Sequence, residues 1–163
     1  MEEIKKESVV QKYSSFDELP DADKALLLQA RESVKTSYAP YSKFHVGCAL
    51  RLNNGKVIHG SNQENIAYPS GLCAERVAIF SAGANYPDQP VQAIAITVKA
   101  DDYVVDEPIM SCGACLQSMS EFEMKFEQPM RIILQGETGD IYVAEGLRTF
   151  MPFMFWVDEL KRK

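Results

Sequence analysis

Apolar residues follow two different periods along this chain of 163 residues, and the changes of period mark out its elements. Across residues 17–37, Leu26, Leu27, Ala30 and Val34 recur at helical spacing behind Pro20 and three aspartates, which predicts a helix with one face on a sheet. Residues 44–52 alternate instead, with Phe44, Val46, Cys48, Leu50 and Leu52 on one side. The Asn53-Asn54-Gly55 turn and the run 56–61 follow, and together they predict a hairpin. Residues 62–72 are polar, contain Pro69 and Gly71, and read as a loop entering a second helix over 73–86. Residues 91–100 are almost continuously apolar, as expected of a strand covered on both faces. A connection over 101–111, a helix over 112–126 and strands over 130–136 and 140–146 complete the order. Weak alternation over 3–13 reads as a short strand or an arm, and the tail 146–163 is aromatic with a charged end.

This order predicts an α/β fold: a three-layer α/β/α sandwich with a five-stranded mixed sheet. No repeat, low-complexity tract or long linker divides the chain, so residues 1–20 read as an N-terminal extension and 21–163 as one domain.

Composition leaves that picture standing: 46% of residues are hydrophobic and 25% charged, ordinary for a globular domain. The net charge of -6, with no Lys/Arg cluster, argues against nucleic acid as partner but not against a small nucleoside. The first residues lack the apolar core of a signal peptide and no segment is long enough to span a bilayer, so a cytoplasmic location is expected. There Cys48, Cys73, Cys112 and Cys115 are better metal ligands or catalytic thiols than disulfides.

The chemistry collects at two helix starts. Cys112 and Cys115, three apart, lie on one helix face and can hold the same ion. Free N–H groups and the helix dipole favour thiolate there, the form that binds metal. Cys73 opens the earlier helix, and three thiolates converge if both starts meet at the ends of neighbouring strands. Zinc with three protein ligands keeps a fourth position for water, the arrangement of a catalytic centre. Glu75, two residues after Cys73, does not share its direction on a regular helix, so Cys73 is expected at the cap or Glu75 approaches from another side. In either case Glu75 can move a proton of water without being a ligand. Arg76 is placed to donate to sulfur and offset the charge of three thiolates. Taken alone, Cys112-Gly-Ala-Cys115 fits a redox pair as well as half a zinc site. A redox dithiol has no need of a third cysteine followed by a carboxylate, which ranks catalytic zinc above structural zinc and redox chemistry. Cys48 reads as a small buried hydrophobe, His59 as a surface residue, and His45, beside Phe44, as a candidate for the pocket wall.

Cys73-Ala74-Glu75-Arg76 followed by Cys112-Gly113-Ala114-Cys115 resembles the signature of zinc-dependent nucleoside deaminases, whose glutamate is not a ligand. Cysteine at the first ligand position, with APYSKFHVG, NGKVIHGSNQENIAY and CGACLQSMSEF in that order, resembles the small homotetrameric cytidine deaminases. The likeness runs from Leu26 to Phe155. It implies one Zn2+ per chain on Cys73, Cys112 and Cys115, with Glu75 as proton shuttle and Arg76 as charge-neutralising neighbour. It also implies Asn62 and Glu64 accepting from the ribose hydroxyls, Phe44 facing the pyrimidine, and backbone around Ala74 and Ser111 reading the base edge. Phe155, ahead of Phe153, would close over the base in a neighbouring subunit of a homotetramer. The reaction implied is hydrolytic deamination of cytidine and 2′-deoxycytidine to uridine and deoxyuridine plus ammonia, a pyrimidine-salvage step. The alternative is a zinc deaminase for another aminated heterocycle or modified nucleoside. The chain departs from the pattern at Ser111, usually Pro, at Leu116, usually Arg, and in its long tail. Ser111 is expected to cap the helix, and Leu116 leaves Arg76 as the sole neutraliser of the sulfurs.

Overall fold

The computed structural model describes residues 1–157, and the charged end of the tail lies outside them. Helix α1 (Asp21–Ser33) is followed by the hairpin β2 (Phe44–Leu52) and β3 (Val57–Ser61), then α2 (Ala74–Asn85) and β4 (Val91–Ala100). Helix α3 (Gly113–Phe126) and strands β5 (Arg131–Gln135) and β6 (Ile141–Glu145) close the order, and β1 (Gln11–Tyr13) precedes it. The hairpin turns through Gly55 at φ 83°, a conformation glycine reaches without strain.

The sheet has six strands in the order β1-β6-β5-β4-β2-β3, not the five expected. The sixth is β1, three residues of the predicted extension that pair antiparallel with β6. Three residues are too few for alternation to register, so the pairing depends on partners the local sequence does not carry. Lys12 forms an ion pair with Asp140 at 2.5 Å, and Tyr13 packs against buried residues beneath α1.

The three layers are as expected. Ile94, Ile96, Ile132, Leu134, Cys48 and Leu50 face α2 and α3, while Ala49, Ala93, Ala95 and Ile133 face α1. That is why residues 91–100 read as one apolar run: odd and even positions are buried on opposite faces. The α1 face is lined by alanines, and a Cβ on Gly47 would stand 2.2 Å from the Ala30 carbonyl oxygen, so the helix lies close to β2. β4 and β5 are the parallel pair, joined across α3, and every other pairing is antiparallel.

Candidate metal centre and active site

Gly60 on β3 decides where α2 begins. A Cβ there would stand 2.3 Å from the Ala74 carbonyl oxygen and 2.7 Å from the Ala78 amide nitrogen. Only glycine lets the first turn of α2 lie on the strand. Cys73 is the N-cap of α2 (φ -71°, ψ 155°) and Cys112 the N-cap of α3 (φ -67°, ψ 160°). Neither thiol caps its own helix, so both are free to turn to a shared point. Cys115 joins them from the first turn of α3.

The three Sγ atoms lie within 4.8 Å of one another, with Cys112 and Cys115 3.4 Å apart. Tetrahedral zinc with sulfur at about 2.3 Å sets its ligands roughly 3.8 Å from each other. The spacing and the all-thiol donor set fit zinc. Without a cation the thiols hold their protons unequally. A hydrogen bond with Cys115, and after it the Arg76 guanidinium at 3.8 Å, bring Cys73 down to about 6 against the opposing effect of burial. Cys115 is pushed up by the same hydrogen bond and by burial. A divalent cation is what would let all three carry charge together.

Glu75 is 5% exposed, and no donor among the described residues is bonded to its carboxylate. A buried carboxylate without a donor asks for water or a ligand as its partner. With Cys73 outside the helix as cap, the two-residue spacing no longer separates them, and Glu75 faces the cavity that Cys73 and Cys112 also line. This cavity, about 810 Å³, lies over the first half of β2 and the second half of β4. Phe44, Val46, Ile96 and Val98 give it an apolar floor, and Asn62 and Glu64 stand on one wall. Its size suits a small organic molecule.

Glu64 Oε2 accepts from the backbone amides of Tyr41 (2.9 Å) and Ser42 (3.3 Å), and the Ser42 hydroxyl is the main cause holding its carboxyl below the ordinary range. Asn62 is more committed than expected. Its Oδ1 accepts from the Val46 amide (2.8 Å) and the Ser37 hydroxyl (2.5 Å), and its Nδ2 donates to the Phe44 carbonyl (2.8 Å). Both lone pairs of the amide oxygen are therefore in use, and what Asn62 can still offer a ligand is one N–H.

Ala74 is fully buried and does not line the cavity. Phe155 is 69% exposed, stands off this chain's cavity, and has its carbonyl bonded by Gln117 Nε2 at 3.1 Å; Phe153 is equally exposed. Ser111 does not cap α3: Cys112 holds the cap position, and the Ser111 hydroxyl is buried with no partner among the described residues. Leu116 is buried in the apolar cluster under α2 and α3, away from the cavity. His45 does not line the cavity either, His59 is exposed as expected, and Cys48 is fully buried. The sequence reading passed over Tyr41, Ser42, Ile109 and Met110 as cavity residues. They lie in segments read only as a turn and a connection, and no local pattern marks them.

Comparisons with known proteins point to one family. The family model for the cytidine and deoxycytidylate deaminase zinc-binding region matches residues 20–126. The cytidine deaminase of Halalkalibacterium halodurans is 41% identical over 120 residues, covering 74% of this chain and 84% of the relative. That of Mycobacterium tuberculosis is 30% identical over 152 residues, 89% and 98% of the two chains. The crystal structure of cytidine deaminase from Burkholderia pseudomallei superposes with a TM-score of 0.69 at 39% identity, covering 80% of this chain and 97% of that one.

Proposed function

We propose, because the chain belongs to the cytidine and deoxycytidylate deaminase family, that it is a zinc-dependent hydrolase converting cytidine to uridine and ammonia. The observation that carries this reading is Glu75, a buried residue whose carboxylate has no donor among the described residues, opening on a cavity beside three converging sulfurs. Cys73, Cys112 and Cys115 hold one zinc per chain, which supplies Lewis-acid activation of water.

The chain's own residues do the rest. Glu75 takes one proton from the attacking water and delivers it to N3 as oxygen bonds to C4. It then takes the second proton from the new C4 hydroxyl and gives it to the amino group, which leaves as ammonia as the C4 carbonyl forms. Arg76 offsets the thiolate charge through Cys73. Phe44 lies against the pyrimidine, and because Ala74 itself is kept off the cavity, the base edge falls to the backbone of its neighbours Cys73 and Glu75, which line it. Glu64 accepts from a sugar hydroxyl, and Asn62 donates its remaining N–H to a sugar oxygen.

The charges on the cavity wall favour a nucleoside over a nucleotide. The charged side chains lining it are Glu64, Glu75 and Arg76, and Arg76 is turned to sulfur. Among the described residues lining the cavity, a substrate phosphate would meet two carboxylates and a guanidinium already turned to Cys73. 2′-Deoxycytidine is a second substrate on this reading, since neither sugar contact is specific to the 2′ position, and both fit a salvage role. Exposed Tyr41, Tyr68, Leu72, Ile109 and Met110 line the cavity, which supports a homotetramer in which Phe155 of a neighbour covers the base. All four cysteines are unpaired, which supports action in the cytoplasm, where thiols stay reduced; no helix among the described residues is long and apolar enough to cross a membrane.

The test is ammonia release from cytidine, 2′-deoxycytidine, cytidine 5′-monophosphate and free cytosine. Both nucleosides should turn over, with the monophosphate disfavoured roughly 100-fold by like-charge repulsion. Preference for the monophosphate or for cytosine would overturn the substrate assignment. Sedimentation tests the assembly, and a fully active monomer would contradict it.

A further inference from the structure

The bonds on Asn62 continue away from the cavity. Its amide has a single orientation, because Oδ1 meets the Val46 N–H and Nδ2 meets the Phe44 carbonyl. Ser37, which donates to that Oδ1 at 2.5 Å, also lies 3.1 Å from His45 Nδ1. On the far side of the ring, His45 Nε2 stands 3.4 Å from Asp101 Oδ1. Asn62 lines the cavity, while Ser37, His45 and Asp101 do not. A chain of four polar side chains thus runs from a half-exposed carboxylate to the cavity wall.

Counting protons along this chain shows a conflict. Asn62 Oδ1 has none, so Ser37 must give its single hydroxyl proton there and must accept from His45 Nδ1. Imidazolium satisfies every member, with Nδ1–H to Ser37 and Nε2–H to Asp101. A neutral ring protonated on Nε2, the form Asp101 favours, leaves Nδ1 bare and the Ser37 proton contested. If that proton turns to Nδ1, oxygen lone pairs face each other across the 2.5 Å between Ser37 and Asn62. A neutral ring protonated on Nδ1 sets a bare Nε2 against the Asp101 carboxylate. The other charges nearby are Glu64, which interacts electrostatically with His45, Lys43, which pairs with Asp102 at 3.7 Å, and Lys99, opposite His45 in the β2–β4 register.

We propose that His45 is a positioning residue for nucleoside binding: acting through Ser37, its protonated form holds the Asn62 amide in its sugar-binding arrangement. This rests on the reading of Asn62 as a sugar contact. The effect falls on KM, because neither Ser37 nor His45 reaches the reacting atoms.

Linkage gives a test on the intact protein. If protonation of His45 favours binding, binding must favour protonation by the same factor. In zinc-loaded protein labelled for ring nitrogen NMR, saturating uridine should raise the titration midpoint of His45 by about 0.5–1 pH unit, a roughly 3- to 10-fold coupling. Ser37→Ala should abolish that shift and flatten the matching part of the KM–pH profile, with kcat within about twofold of wild type. Ser37→Thr, which keeps the hydroxyl, should retain both. A midpoint unmoved or lowered by uridine, in a protein whose uridine affinity Asn62→Ala weakens, overturns the relay and leaves the sugar contact standing. Unchanged uridine affinity in Asn62→Ala removes the sugar contact and the relay with it.

Discussion

Helix α2 is fastened where its chemistry begins, by the approach of Ala74 and Ala78 to Gly60, whereas α3 is fastened at its far end. There Glu123 accepts from the amides of Met130 (2.8 Å) and Leu147 (3.2 Å). The start of α3 stands open: Cys112 is exposed, and a Cβ on Gly113 would meet nothing within 4 Å. The two starts differ as their tasks differ. A group that moves a proton loses rate if displaced by about 1 Å, so Glu75 sits on the pinned helix. A metal ligand on an open helix start can follow the ion, and two of the three sulfurs are there.

The largest effect should come from the pinned start itself. Glu75→Gln should lower kcat on the order of 10²–10⁴-fold while zinc per chain stays at the wild-type value, as read by steady-state rates beside a metal assay. Next comes the pin. Gly60→Ala forces a methyl group into helix backbone and should cost about 3 kcal/mol in denaturant unfolding, at the upper end for overpacking, with kcat falling as Glu75 moves. Normal stability and rate in that variant would break the comparison.

Glu123→Ala tests the other fastening. It should cost about 2 kcal/mol for two orphaned amides, less than the full penalty because a buried carboxylate leaves with them, and kcat of the folded protein should hold. Burial raises the carboxyl of Glu123. A raised folded value means that the group's stabilisation is complete below its unfolded value of about 4.3 and is lost as pH rises through the folded value. Urea midpoints of wild type and Glu123→Gln should therefore shift in favour of the variant between about pH 4 and neutrality. The smallest effect belongs to Gly113→Ala, within about 0.5 kcal/mol and without loss of zinc; a large one would show the open start to be constrained after all.

The metal centre was legible in the sequence because each part of it is local: a cysteine at a helix cap, a carboxylate in the first turn, and two cysteines three apart. The layers were legible because period and apolar run length report burial directly. β1 was not, since Gln11–Tyr13 pairs only because β6 offers an edge. Ser111 was misplaced by one position, which gave the cap to Cys112 and left its hydroxyl without a partner among the described residues. The commitment of Asn62 was equally hidden, because Ser37 lies 25 residues away and meets it only once α1 and β2 have packed. Pairings at that distance have no signature in either segment.

The most direct test of the central claim is ammonia release from cytidine across preparations of the wild-type chain that carry graded amounts of zinc, with metal assayed in the same samples. Rate should rise in proportion to bound zinc, level off near one ion per chain, and be restored to stripped protein by added zinc. Full turnover in zinc-free protein, or a zinc-loaded chain inert toward cytidine, would contradict it.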